Sequence, residues 1–151
     1  MEFTDVAIVR ATLDDVAALT PLFDAYRTFF AGEHDAAESG PFLKERLGAS
    51  ESVVFLARAA GDVAGFIQLY PLWSSWYCRR IWFLSDLYVT QLHRHRRIGR
   101  RLVERAVEHA RETEASSVMV ELPHREPHLT QFYASLGFHK DDVFDLARYL
   151  I

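Results

Sequence analysis

The amino-acid sequence predicts one α/β domain, a mixed and mostly antiparallel sheet of six to seven strands carrying about four helices. Three observations predict it. Apolar residues recur at helical spacing through the first fifty positions. Strand-like segments joined by turn residues then fill 53–89, and a strand–helix–strand unit, which demands a parallel crossover, follows them. With 151 residues, half of them hydrophobic, the chain can bury a core, and without a repeat or linker it reads as a single domain over 1–151.

Val6 and Ile8 suggest a short first strand. Thr12-Leu13-Asp14-Asp15 has the form of a capping box, with Thr12 as N-cap and Asp15 reaching back. Val16, Leu19, Leu22, Phe23, Tyr26, Phe29 and Phe30 keep a helical period. Pro21 should kink that helix or divide it in two, because it removes a hydrogen bond and crowds the preceding turn. A second helix is expected over 41–47.

Next comes a hairpin of Val53–Ala59 and 63–70, turning at Gly61-Asp62 and ended by Pro71. Ser74-Ser75-Trp76 bridges to a long strand, Arg79–Val89, rich in aromatic and branched residues. Strict period two places Trp82, Leu84, Asp86 and Tyr88 on one face and Ile81, Phe83, Ser85, Leu87 and Val89 on the other. From Ile98 to about Glu112 the residues Ile98, Leu102, Val103, Ala106, Val107 and Ala110 trace one helical stripe. A buried strand over 117–122, a helix over 127–136 with Gly137 at its C-cap, and a last strand over 143–151 complete the reading.

The net charge of −4 and pI near 6.0 argue against a nucleic-acid-coating protein. No run approaches the roughly 20 apolar residues that span a bilayer, and the N-terminus lacks the positive region of a signal peptide. The single cysteine, Cys78, cannot form an internal disulfide and reads as a packing residue. A cytoplasmic protein without membrane or nucleic-acid partners is the expectation. His93 and His95 share a face of an extended segment, but no third ligand accompanies them, so no metal is expected.

The chemistry concentrates in VTQLHRHRRIGRRL, residues 89–102. Here a strand end turns tightly into an amphipathic helix, whose first turn offers unpaired N–H groups and partial positive charge to a phosphate. Gly99 permits close approach, and five arginines add charge-assisted donors. The stretch resembles the pyrophosphate-binding motif R/Q-x-x-G-x-G/A of the GNAT N-acetyltransferase superfamily. Arg94 falls on its first position and Gly99 on its last, while Arg97 stands where the family carries its first glycine. Downstream, Phe132-Tyr133-Ala134-Ser135-Leu136-Gly137-Phe138 is similar to the family's late xYxxxGF signature; Glu126 stands where an asparagine often precedes that tyrosine. Ser85-Asp86-Leu87-Tyr88-Val89 is similar to polyamine- and small-amine-acetylating members.

The resemblance implies acetyl-CoA as cosubstrate and direct transfer to an amine of a small molecule or a peptide. It implies coenzyme contacts from Leu87, Tyr88 and Val89 at the strand end, and from Arg94, His95, Arg96, Arg97, Ile98, Gly99 and Arg100 in the loop. Tyr133 would protonate the leaving thiolate, a role that suits a phenol. Asp86 would hold the ammonium or accept its proton. A homodimer is also implied.

Competing readings share these residues. Asp86 could form a structural ion pair with an arginine, and Tyr133 could be a packing residue. His124 and His128 could serve substrate or a proton relay. Trp73, Trp76, Tyr77 and Trp82 could line an acceptor pocket, a dimer contact or the core. At the level of function the rivals are a different acyl donor, a protein N-terminal acceptor, a non-catalytic acyl-CoA-binding regulatory module, and a nucleic-acid-binding domain.

Overall fold

Five strands, ordered β1-β2-β3-β4-β5, make the sheet of this computed structural model, which describes residues 5–151. β1 (Val6–Arg10) pairs antiparallel with β2 (Val53–Ala59). The predicted capping box is present: the Thr12 N–H donates to the Asp15 carboxylate at 2.8 Å, and the chain enters a 3₁₀ turn over Leu13–Asp15. Asp15 is also ion-paired with Arg58 of β2, which pins the entrance of the first helix to the sheet. That helix, α1 (Val16–Ala31), runs through Pro21 as one element rather than two. The proline forfeits a single hydrogen bond, and burial of Leu19 and Phe23 on either side of it holds the turn in place. α2 (Ser39–Gly48) follows, starting two residues earlier than expected.

β2 turns into β3 (Asp62–Ser74) through Ala60 and Gly61, both at positive φ (50° and 85°). The two-residue turn is therefore Ala60-Gly61, a primed turn whose twist suits the strands, and Asp62 already pairs with Ala59. Pro71 does not end β3. The pairing with β2 stops at Val53 and Leu69, so beyond that point one side of β3 is an edge, where the missing N–H of proline costs no ladder bond. β4 (Arg79–Val89) returns antiparallel, and α3 (Ile98–Glu112) crosses over to β5 (Ser117–Val120), parallel to β4. β5 is not buried as expected; its residues alternate between exposed and half-buried.

The strict alternation expected of β4 fails at Ser85. Gln68 pairs with Asp86 while its neighbour Leu69 pairs with Leu84, so Ser85 is an extra, unopposed residue. One inserted residue exchanges the two faces of everything after it. Trp82, before the bulge, packs on His109 of α3 with ring centroids 4.8 Å apart. Tyr88, after it, packs on Tyr26 of α1 at 6.5 Å. Leu84 and Asp86 therefore do not share a face. Gly65 allows β3 to approach this strand closely, since a Cβ there would lie 2.8 Å from the Tyr88 carbonyl oxygen.

The core against α1 and α2 is formed by Leu19, Phe23, Leu43, Val54, Leu56 and Phe66. On the other face α3 buries Ile98, Leu102, Val103, Ala106, His109 and Ala110, close to the predicted stripe. No helix among the described residues is long and apolar enough to cross a membrane.

The chain divides into two compact units, one ending at Glu121 and the other Leu122–Ile151. The second contains α4 (Pro127–Ser135), with Pro127 at its first turn. It stops in a Schellman cap: Gly137 takes φ +93°, its N–H reaches the Ala134 carbonyl and the Phe138 N–H reaches that of Tyr133. The expected strand over 143–151 is absent, which lowers the strand count from the expected six to seven to five among the described residues. The Asp141 carboxylate accepts from the N–H groups of Val143 and Phe144 at 2.7 and 3.2 Å, and such local bonds compete with a ladder. Strand propensity without a partner strand does not make a strand.

Candidate functional site

The bulge at Ser85 sets the site. It turns Asp86 toward α1 and α2, where the residue is 8% exposed and its carboxylate accepts a hydrogen bond from Gln68 Nε2 at 2.8 Å. Gln68 is fully buried, and its own side-chain oxygen has no partner among the described residues. The Tyr26 hydroxyl donates to the Ser85 carbonyl at 3.3 Å. Asp86 forms no ion pair among the described residues, so the structural reading as an arginine partner fails. Burial pushes its carboxyl above the ordinary carboxylate range, and the hydrogen bond from Gln68 opposes that only in part.

A cleft of about 290 Å³ opens beside Asp86, lined by Phe23, Tyr26, Phe42 and Tyr70. Arg27 and Glu38 also line it and pair with each other at 3.2 Å. A polar network ties α1 to the start of α2: Asp24 accepts from Ser39 at 3.0 Å and meets His34 Nε2 at 2.6 Å, while Arg27 donates to Ser39 Oγ at 3.0 Å. Tyr70 is pushed up to about 12, chiefly by burial and secondarily by the Asp86 charge, and stays protonated at neutral pH.

On the other edge of β4, pairing with β5 covers only Ile81 to Leu84, so residues 85–89 have no strand on that side among the described residues. Beyond Val89 the chain makes a 3₁₀ turn, Gln91–His93, and the Thr90 hydroxyl and His93 Nδ1 share a hydrogen bond of 2.7 Å. Arg94 folds back, its Nε donating to the Val89 carbonyl at 3.1 Å and its guanidinium lying 5.8 Å from the Tyr88 ring centre. His95 and Arg97 both adopt the left-handed conformation, at φ 63° and 60°. Arg97 is the N-cap of α3, and its side chain makes no cap bond to the first helical turn. The position where the resembled motif carries glycine is thus one that a glycine would occupy without steric cost. His95, Arg96 and Arg97 are exposed, whereas Ile98 is buried and anchors the turn.

These features, a strand edge unpaired among the described residues leading into an arginine-rich helix start, suit a phosphate-bearing coenzyme. Residues 19–138 match the sequence profile of the Acetyltransferase (GNAT) family. The chain belongs to that family. A relative from Bacillus subtilis, the uncharacterised N-acetyltransferase YhfO, is 35% identical over 137 residues, covering 91% of this chain and 92% of that one. A solved structure of a probable acetyltransferase is 36% identical and superposes with a TM-score of 0.89, covering 96% and 98% of the two chains. An aminoglycoside acetyltransferase from a soil metagenome shares the fold at a TM-score of 0.83 over 97% of each chain, but at 18% identity it speaks to the fold alone. This GNAT protein is an acetyl-CoA-dependent N-acetyltransferase.

In the acetyltransferase, Tyr133 lies in the second unit, buried on α4 and packed against Phe132 and Phe138 at 5.1 and 5.3 Å. Burial pushes its phenol well above the ordinary tyrosine range. His128 pairs with Glu126 at 3.2 Å and is exposed, as is His124. Trp73, Trp76 and Tyr77 are exposed around the β3–β4 turn, and Cys78 is exposed there too, not packed; only Trp82 is buried, its Nε1 donating to Thr113 Oγ1 at 2.8 Å. No group of three or more His, Cys, Asp or Glu among the described residues is arranged to hold a metal.

Sequence reasoning missed Gln68, Tyr70 and the aromatic wall of the cleft. Gln68 carried a readable signal, a lone amide inside the apolar run Phe66-Ile67-Gln68-Leu69. A buried amide needs a partner, and the partner is Asp86. Phe23 and Phe42 carried none, since at helical spacing they are indistinguishable from core residues.

Proposed function

We propose that this acetyltransferase moves the acetyl group of acetyl-CoA directly onto a primary amine of a small molecule, with no covalent enzyme intermediate. The Ser85 bulge carries the reading. It presents Asp86 to the cleft while the same stretch of β4, 85–89, stays open on its β5 side. An amine seated in the cleft and a thioester lying along the open strand edge meet there.

Backbone groups of Leu87, Tyr88 and Val89 would hold the thioester carbonyl and pantetheine arm. The N–H groups of Ile98, Gly99 and Arg100, with Arg94, His95, Arg96 and Arg97 around them, would hold the pyrophosphate. Asp86 binds the ammonium or takes its proton, and its raised pKa makes it a stronger base than an ordinary carboxylate. Tyr133, protonated at neutral pH, gives its proton to the departing sulfur. Support for these roles comes from the family match and from the two motifs, which lie at the spacing the family shows. One catalytic domain over 1–151, working as a cytoplasmic homodimer, completes the proposal and rests on the family resemblance.

The test is release of free thiol from acetyl-CoA in the presence of a panel of amines, amino acids, aminoglycosides and peptides. Turnover is expected with at least one small primary amine. Thermal stabilisation by acetyl-CoA without turnover of any acceptor would instead favour a non-catalytic acyl-CoA-binding module.

A further inference from the structure

We infer that the cleft beside Asp86 selects a primary monoamine carrying an aryl group, an arylalkylamine, over polyamines and free amino acids. The inference rests on the transferase reading for the acetylation step, but not for binding. Charge decides between the substrate classes. Two carboxylates line the cleft, and Glu38 is already neutralised by Arg27 at 3.2 Å. Asp86 is left as the carboxylate without a cation, which is room for one ammonium. A polyamine would bring further charges into a cleft whose other walls are aromatic and whose remaining charged groups, Arg27 and Glu38, are paired with each other. Desolvating a second cation without a carboxylate of its own is costly.

A free amino acid has the opposite difficulty, because its carboxylate needs an uncommitted donor. Arg27 commits three of its five N–H donors within the protein, Nη1 to the Asp35 carbonyl at 3.2 Å and to Ser39 Oγ at 3.0 Å and Nη2 to Glu38, and its charge is already matched by Glu38. The apolar walls suit the body of an arylalkylamine. Phe23 and Phe42 lie nearly parallel, 8° apart with centroids at 5.9 Å, and Tyr70 and Tyr26 add further ring surface. At about 290 Å³ the cleft stands at the small end for a ligand site, which fits one ring and a short arm.

Calorimetry on the full chain with 2-phenylethylamine, spermidine, phenylalanine and the neutral isostere 2-phenylethanol tests the binding, and thiol release from acetyl-CoA with the same amines tests the transfer. The expected result is binding of 2-phenylethylamine at least about tenfold tighter than the other three, with kcat/KM in the same order. Asp86→Asn should remove the advantage over 2-phenylethanol. Phe42→Ala should weaken 2-phenylethylamine about tenfold, with circular dichroism confirming the fold. Glu38→Gln, at an exposed position, should weaken it several-fold by unmasking Arg27. Equal or tighter binding of spermidine or phenylalanine overturns the inference, as does indifference of 2-phenylethylamine affinity to Phe42→Ala and Glu38→Gln. Selective binding without acetylation of any amine would overturn the transferase reading and leave the cleft assignment standing; turnover of spermidine alone would do the reverse.

Discussion

Gln68 on β3 donates to Asp86 on β4 at 2.8 Å, and the pair is buried beneath the aromatic cleft. The bond fixes the carboxylate's direction and stabilises its charged form against the cost of burial. Removing the donor with Gln68→Leu should raise the Asp86 pKa further. The expected outcome is an upward shift of the acidic limb of the kcat/KM profile against pH, with folding retained. An unmoved limb would show that Asp86 does not titrate in the rate-determining path.

Asp86→Asn should separate stability from activity. The folded pKa of Asp86 lies above its unfolded value, so the group favours the fold below the unfolded pKa and loses that contribution as pH rises through the folded one. At neutral pH the neutral amide therefore removes a burden, and the melting temperature should be unchanged or higher. Acetyl transfer should fall about 10²-fold or more. Thermal melts and thiol-release assays on the same preparation check both.

Tyr133→Phe keeps the ring that packs against Phe132 and Phe138 and deletes only the proton. Turnover should drop about 10²-fold while acetyl-CoA still stabilises the fold. Unchanged turnover at every pH would take the general-acid role away from this residue.

Arg97→Gly should stabilise the protein. Arg97 is held at φ 60°, a region that costs a side-chain-bearing residue roughly 1–2 kcal/mol, part of which glycine gives back through a more flexible unfolded chain. A net gain of up to about 1 kcal/mol is expected in urea unfolding. Under the proposed coenzyme mode the first-turn N–H groups remain and only the Arg97 guanidinium is lost, so acetyl-CoA affinity should fall only modestly.

Acid should weaken the fold through His109. It is buried between Phe55 and Trp82, its Nε2 has no hydrogen-bond partner among the described residues, and desolvation lowers its pKa, with Arg10 and Arg105 adding to the shift. The unfolded chain binds the proton first, so stability is lost as pH falls below about 6.5. Melting temperatures between pH 8 and 5 should decline, and His109→Leu should flatten that decline.

The sequence by itself determined the elements with strong local signals. The capping box at Thr12 and Asp15, the strand Arg79–Val89, the α3 stripe and the Gly137 cap all depend on neighbours a few residues apart, so periodicity and turn chemistry were enough. The motif around Arg94 and Gly99 was legible for the same reason, and the left-handed Arg97 explains why a glycine is expected there. Tertiary structure decided the rest. Pro71 stays in β3 because its neighbour β2 has already ended, and 143–151 is no strand because Asp141 satisfies its first N–H groups locally. Above all, the Ser85 bulge exists only in the pairing of β3 with β4. Period two placed Asp86 beside Trp82 and Leu84; one unopposed residue turned it to the opposite face, into the cleft with Gln68 and Tyr26. A bulge is a relation between two strands, and no local pattern within one of them records it.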